Sequence, residues 1–252
     1  MCASANAAHV GSSLSVIDIL SVLYGGAAQI SPESSANPER DLVIVSKGHA
    51  AAGVYAVLGN SGFFPLDWLI DYCKDGSPLG GHVTKGLVPG VEFSTGSLGH
   101  GLPFGVGSSL ARRLRNLGGR IFVVMSDGEC DEGSNWEAAL LAAHHELSHL
   151  TVLIDRNGLQ SLDTTEGTIR LEPLAEKWEA FGWHVLKVDG HDHISIDDSI
   201  SKAKDDPRPT VIICNTVKGK GVSFMENQVK WHYRPPSGSE LDAALLELPE
   251  VP

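Results

Sequence analysis

Through the second half of the chain, short runs of branched apolar residues alternate with longer stretches of helical periodicity. Residues 120–126 (R-I-F-V-V-M-S) read as a buried strand, and apolar positions recur at helical spacing over 135–147. Residues 150–155 (L-T-V-L-I-D) carry a second strand pattern. A helix over about 173–181, a strand at 183–189, a helix over about 196–204 and a strand at 210–215 complete the series. Unbroken Val, Ile and Leu runs between helices predict strands covered on both faces, that is, βαβ units in a doubly wound, mainly parallel α/β sheet. Its crossovers are expected to be right-handed.

The first half is less regular. Residues 14–24 and 50–60 have helical spacing, 42–45 form a short strand between them, and 65–74 are a further helix candidate. Residues 76–101 are rich in Gly, Pro, Ser, Thr and His, and 216–236 are long and aperiodic. Irregular segments of this length inside a compact domain point to function. Residues 237–248 read as a capped helix with Ser239 at the N-cap. No repeat or linker divides the chain, so one domain over residues 1–252 is expected.

Composition narrows the function. At 42% hydrophobic and 20% charged residues the chain can bury a sizeable core. Lys and Arg total 19 against 31 Asp and Glu, a net charge of −12. That balance argues against a nucleic-acid partner, which needs a basic face, and against docking on anionic lipid. The apolar stretch at 14–28 is broken by Asp18 and is short for a bilayer span. The start lacks the basic region of a secretory signal. Four dispersed cysteines, Cys2, Cys73, Cys130 and Cys214, fit neither a disulfide framework nor a zinc ribbon. A reducing cytoplasm is the expected location.

Three constellations carry chemistry. Ser126-Asp127-Gly128-Glu129 follows one strand and Asn157 follows the next, thirty positions after Asp127. Ligands of a doubly wound sheet bind beyond the carboxyl ends of its strands, so this unit delivers a carboxylate and an amide oxygen to one crevice. Hard oxygens of this kind suit Mg²⁺ or Ca²⁺, which in turn bind phosphate oxygens. Gly128 lets a phosphate approach the backbone. Read without context, the same residues are ordinary D-G and N-G turns. The second constellation, Thr95-Gly96-Ser97-Leu98-Gly99-His100-Gly101, opens a helix and offers free N–H groups, though a close-packed turn would use the same residues. The third is a set of histidines, His9, His49, His82, His100 and His232, all in loops or at helix starts. Imidazole moves protons near neutral pH.

A fourth pattern is discounted. His145-Glu146-Leu147-Ser148-His149 matches the H-E-x-x-H helix signature of zinc proteases. The helix that carries it runs antiparallel to the strands, so its end lies at their amino ends, away from the crevice.

Taken together, the Asp127–Asn157 unit resembles the thiamine-diphosphate motif, with Ser126 in place of the first glycine. The pieces A-N-A-A-H-V-G-S-S-L-S, V-S-K-G-H-A, G-G-H-V, S-T-G-S-L-G-H-G and T-V-K-G-K-G-V-S-F-M-E-N…W-H-Y-R-P-P follow in the same order as in the amino-terminal half of transketolases. The chain is most similar to the N-terminal subunits of split, two-chain transketolases, and the resemblance covers nearly all of it. It implies the thiamine-diphosphate-binding fold, in its diphosphate-binding (PP-type) form. It implies thiamine diphosphate and Mg²⁺ as cofactors, with Ca²⁺ as a possible substitute. Asp127, Asn157 and the Leu159 carbonyl would hold the metal. Gly128 would lie against the diphosphate. His49 and His232 would contact the diphosphate or the adjacent substrate, His232 with a catalytic part as well. Gly96, Ser97 and Leu98 would line the cofactor rings, and His9 and His82 would bond the sugar hydroxyls and shuttle protons. Glu132 would join a carboxylate network between paired active sites.

Two departures qualify the resemblance. Only eight residues precede His9, where the family carries a helix, so a shortened start is expected. The glutamate that activates the aminopyrimidine belongs to the family's second domain. Glu129, Glu132 and Glu137 are expected at the metal end, away from the aminopyrimidine. The implied function is therefore the diphosphate-binding subunit of a transketolase, passing a two-carbon ketol unit from a ketose or its phosphate to an aldose or its phosphate. It would be active only with a C-terminal subunit that supplies the pyrimidine-binding domain and its acid, in an α2β2 assembly. The alternatives are an α-type subunit of a 2-oxoacid dehydrogenase or sugar-phosphate synthase, and a non-catalytic scaffold.

Overall fold

The computed structural model describes residues 1–248. Five strands, β1 (Leu42–Val45), β2 (Ile121–Ser126), β3 (Leu150–Arg156), β4 (His184–Asp189) and β5 (Thr210–Asn215), form one sheet in the order β1-β2-β3-β5-β4. Every pairing is parallel, with Leu42 opposite Ile121, Ile121 opposite Leu150, and Thr210 opposite both Thr151 and His184. The main helices are α1 (Val10–Val22), α2 (Ala51–Asn60), α3 (Gly101–Leu114), α4 (Gly133–His144), α5 (Thr165–Thr168), α6 (Leu174–Ala180), α7 (His193–Asp205) and α8 (Ser239–Glu247).

Alternate residues of each strand feed opposite faces. Phe122, Val124, Leu153, Ile212 and Cys214 pack with α1, α2 and α7. Ile121, Val123, Met125, Val152, Ile154, Val211 and Ile213 pack with α3, α4 and α6. All six residues of β2 are buried, as the unbroken run R-I-F-V-V-M-S requires. Each fully buried Val, Leu, Ile or Phe contributes about 1.5–3 kcal/mol relative to exposure, so these two layers hold the strand ends in place. The edge strand β4 is only partly buried and reads H-V-L-K-V-D, tolerating Lys187. A third cluster, Val222, Met225, Trp231 and Ala244, gives the aperiodic 216–236 segment its own packing and ties α8 to it.

Four expectations are corrected. Residues 65–74 form only a short 3₁₀ helix at Leu66–Asp71. The first helix begins earlier, at Val10, and continues as a wider turn to Ala27. The run Val10–Ala27 is long and apolar enough to cross a bilayer, yet 56% of it is buried within the protein. Ile19, Leu20 and Leu23 are wholly buried, so it serves as a core helix. Ser239 is the first residue of α8 and not its cap: Gly238 takes that place at φ 53°, where glycine is unstrained. Helix α4 stops at His144, because Glu146 adopts a left-handed conformation (φ 48°). H-E-L-S-H is therefore a turn into β3, and its imidazoles do not share a helix face.

Candidate active site

The carboxyl ends of the strands gather most of the expected residues. Lys47 and His49 follow β1, Asp127 and Gly128 follow β2, Asn157 and Leu159 follow β3, and Lys218 follows β5. Together with His9, His82, His232, Gly96 and Leu98, they wall one cavity of about 300 Å³. Ser97 and Glu132 are not brought in. Both are exposed, Ser97 at a bend of the loop and Glu132 at the cap of α4 with its side chain beside Gly99. His100 is exposed and bonds the Leu98 carbonyl, outside the cavity.

The four cavity histidines form one cluster. The His9 ring lies 4.9 Å from His232, 5.2 Å from His49 and 5.9 Å from His82, centre to centre. His9 sits at φ 71°, a strained conformation for a non-glycine residue, and its N–H donates to the His232 carbonyl at 2.8 Å. Burial pushes His9 down to about 4 and His232 to about 3, with Lys218 and other histidines adding to the effect. Burial likewise takes His49 well below its ordinary value. These imidazoles are uncharged at neutral pH and act as hydrogen-bond donors and acceptors. The Lys218 ammonium lies 3.0 Å from His232 Nδ1, so the neutral ring carries its hydrogen on Nε2.

The opposite end of the cavity holds the oxygens. Asp127 accepts from the Gly158 N–H at 2.6 Å, the Arg156 guanidinium at 3.0 Å and the Gly128 N–H at 2.8 Å. Burial pushes its pKa up, Asp155 adds to this, and the Gly158 and Arg156 donors pull the other way. Asn157 is aimed by its amide nitrogen, which donates to Ser15 at 3.2 Å and Asp155 at 3.4 Å. Behind it, Asp155 is fully buried and paired with Lys47, Ser15 and Thr216. Burial opposes ionisation of Asp155, but Lys47 and the hydroxyl donors hold its pKa below the usual carboxylate range. A Cβ on Gly128 would fall 2.7 Å from the Gln160 side chain, so only glycine leaves this wall open.

This donor set fits a hard divalent cation. It offers one carboxylate, one amide oxygen and one main-chain carbonyl, all oxygens, beside two buried ammonium groups that suit an anion. The Leu159 carbonyl accepts from Lys218 at 3.3 Å, so a cationic group already favours that spot. Lys218 is pushed down to about 8 by burial and by Lys47.

Lys47 and Lys218 do not stand out in the sequence. The rule that ligands gather beyond strand ends would have found both, since each lies two or three residues past a strand. Glu129 also departs from expectation. It does not line the cavity: it is wholly buried in the turn after Asp127 and bonds the Gly99 N–H at 2.9 Å. Among the described residues, Asp127 is the only carboxylate in the cavity wall.

The family model for the transketolase thiamine diphosphate binding domain matches residues 1–246. The chain belongs to the transketolase family. Over 95% of its length it is 44% identical to an apulose-4-phosphate transketolase subunit of Actinobacillus succinogenes, spanning 87% of that protein. It is 39% identical to a 6-deoxy-6-sulfo-D-fructose transketolase subunit of a Clostridium species, covering 95% of this chain and 88% of the relative. In structure it matches Campylobacter jejuni transketolase with a TM-score of 0.91 at 30% identity, over 98% of this chain but 40% of that one. The α/β fold and thiamine diphosphate dependence of this transketolase chain follow from these matches.

Proposed function

We propose that this chain is the metal- and diphosphate-binding subunit of a two-chain transketolase, acting in the cytoplasm and inactive without its companion. The observation that carries the reading is the cavity wall: it holds metal-type oxygens, two lysines and four histidines, but, among the described residues, no carboxylic acid other than Asp127. Thiamine diphosphate, when bound, supplies the electron sink that lets the bond between C2 and C3 of a ketose break. That chemistry needs an acid at the aminopyrimidine, and the cavity offers none at that end. A C-terminal subunit with the pyrimidine-binding domain would contribute it across the interface. Two copies of each would pair the sites in an α2β2 assembly. The naming of similar chains as transketolase subunits supports the reading.

In this scheme Asp127, Asn157 and the Leu159 carbonyl hold Mg²⁺, or Ca²⁺ in its place, against the diphosphate. Lys47 and Lys218 offset its charge, and Gly128 gives it room. Gly96 and Leu98 face the rings. His9, His82 and His232 bond the hydroxyls of the sugar or sugar phosphate and move its protons. The His232 Nε2–H is a donor. His49 contacts the diphosphate. Glu132, which is exposed, would join a carboxylate network between the paired sites.

The test is reconstitution. Ketol transfer from a ketose phosphate to an aldose phosphate is assayed with this chain alone, with the companion alone and with both. Activity is expected only from the mixture. Turnover by this chain alone would refute the half-site reading.

A further inference from the structure

Glu129 has no part in the scheme above, yet it is as deeply buried as any charged side chain in the protein. It sits in the short turn Gly128–Asp131 just after β2. Oε1 accepts from the Gly99 N–H at 2.9 Å and from the Ser46 hydroxyl; Oε2 accepts from the Ser126 N–H at 3.3 Å. The Ser46 oxygen in turn accepts from the Gly101 N–H at 3.0 Å, so its own hydrogen is committed to Glu129. The Glu129 carbonyl accepts from the Asn135 amide at 2.7 Å, at the start of α4. Four segments meet on this residue: the end of β1, the glycine-rich loop, the end of β2 and the head of α4. Among the described residues it forms no ion pair, in contrast to Asp155.

We propose that Glu129 is a positioning residue: as the shared acceptor for the loop, it sets the distance between the Gly96 and Leu98 wall of the cavity and the Asp127 end. The inference rests on the cofactor reading above. Three N–H or O–H groups point at this carboxylate, and two of the loop's amides hang from it, Gly99 directly and Gly101 through Ser46. A buried donor left without an acceptor is costly, so the loop has no equally good place without this acceptor. The Asp127 and Asp155 network uses other donors: Gly128, Gly158, Arg156, Lys47, Ser15, Thr216 and Asn157. The two networks share no side-chain acceptor. The ring wall and the diphosphate end are therefore held by different side-chain acceptors, and the test below measures how far one can be loosened without the other. Glutamine cannot replace it, because its NH₂ must face one of the three donors.

The experiment compares two probes on the full-length chain with Mg²⁺ by calorimetry. Thiamine diphosphate reports on both ends of the cavity, and inorganic pyrophosphate on the metal end alone. Glu129→Gln and, separately, Ser46→Ala are expected to weaken thiamine diphosphate by about tenfold or more while pyrophosphate changes by less than about twofold, the loss of buried hydrogen bonds being of this size. Ser46→Ala removes only a hydroxyl, so it carries the test if Glu129→Gln does not fold. A purely structural role would lower both affinities together. Equal losses for both probes, no loss for either, or a wild-type chain that binds the two probes equally would overturn the proposal. Failure of the wild-type chain to bind either probe would instead reject the cofactor reading beneath it.

Discussion

The two edges of the sheet contain similar residues and use them differently. At the carboxyl edge, His9, His49, His82 and His232 turn their rings to one cavity, and Asp127, Asp155 and Lys47 are satisfied by side chains and loop amides. At the amino edge, His184 and Arg208 pair with Asp206, and other polar groups close on main chain. Arg113 donates to the His145 carbonyl at 2.5 Å, and Arg120 to the carbonyls of Ser148 at 2.9 Å and Ala203 at 3.0 Å. The His149 carbonyl accepts from the Ile121 N–H at 2.9 Å. Helices α3 and α4 end here, and Arg112 and Arg113 in the last turn of α3 offset the partial negative charge of these ends, Arg113 reaching the His145 carbonyl after α4. The heads of both helices lie at the other edge, where N–H groups and positive dipole ends favour a diphosphate. A histidine in this fold is thus judged by its edge before its motif.

The largest effect that would break this contrast is at Asp127. Asp127→Ala removes the one carboxylate that the described residues contribute to the cavity wall and should abolish measurable binding of thiamine diphosphate with Mg²⁺. It also leaves the Gly158 N–H and Arg156 short of an acceptor, at about 1–3 kcal/mol of stability. Calorimetry and urea unfolding check the two parts. Unchanged cofactor affinity would remove the metal end from the carboxyl edge.

How much of this contrast is legible in the sequence follows the physics of each element. The strands are legible because β2, β3 and β5 are buried on both faces and so must be continuously apolar. Asp127 and Asn157 are legible because they follow those runs directly. The histidine cluster shows only as a tendency, since His9 and His232 are 223 positions apart and only folding brings their rings to 4.9 Å. Glu129 misleads for a similar reason. Two residues from Asp127, it reads as a neighbour of the metal, but the tight turn directs it to Ser46, 83 positions earlier. Lys47 and Asp155 escape notice because a buried ion pair 108 positions apart leaves no local pattern.

A smaller effect sharpens the contrast through pH. His9 and His232 are held near 4 and near 3 in the folded chain, against 6.5 for an ordinary histidine. Below about pH 6.5 the unfolded chain takes up protons that the folded chain refuses. Their contribution is therefore complete above that value. It is lost as pH falls through about 4 for His9 and about 3 for His232. The double variant His9→Gln, His232→Gln should lose less stability than wild type between neutral pH and pH 5, measured as urea midpoints. Parallel losses in the two proteins would show that these rings are not held neutral, and the carboxyl edge would lose its distinctive electrostatics.

The smallest effect belongs to the amino edge. His145→Ala with His149→Ala deletes both imidazoles of H-E-L-S-H. The bonds that matter there run through the carbonyls of residues 145 and 149, and these remain. His149 is exposed, and the half-buried His145 meets His144 edge-on at 4.9 Å. Among the described residues, no three His, Cys, Asp or Glu side chains converge as a metal site, and the left-handed Glu146 interrupts any helical presentation of the pair. The change in stability should stay within about 0.5 kcal/mol, the range of ordinary surface substitutions. Affinity for thiamine diphosphate should not move, and elemental analysis after zinc exposure should not distinguish the variant from wild type. A loss of one bound zinc per chain, or a drop in cofactor affinity, would put chemistry at the amino edge and dissolve the distinction between the two ends of the sheet.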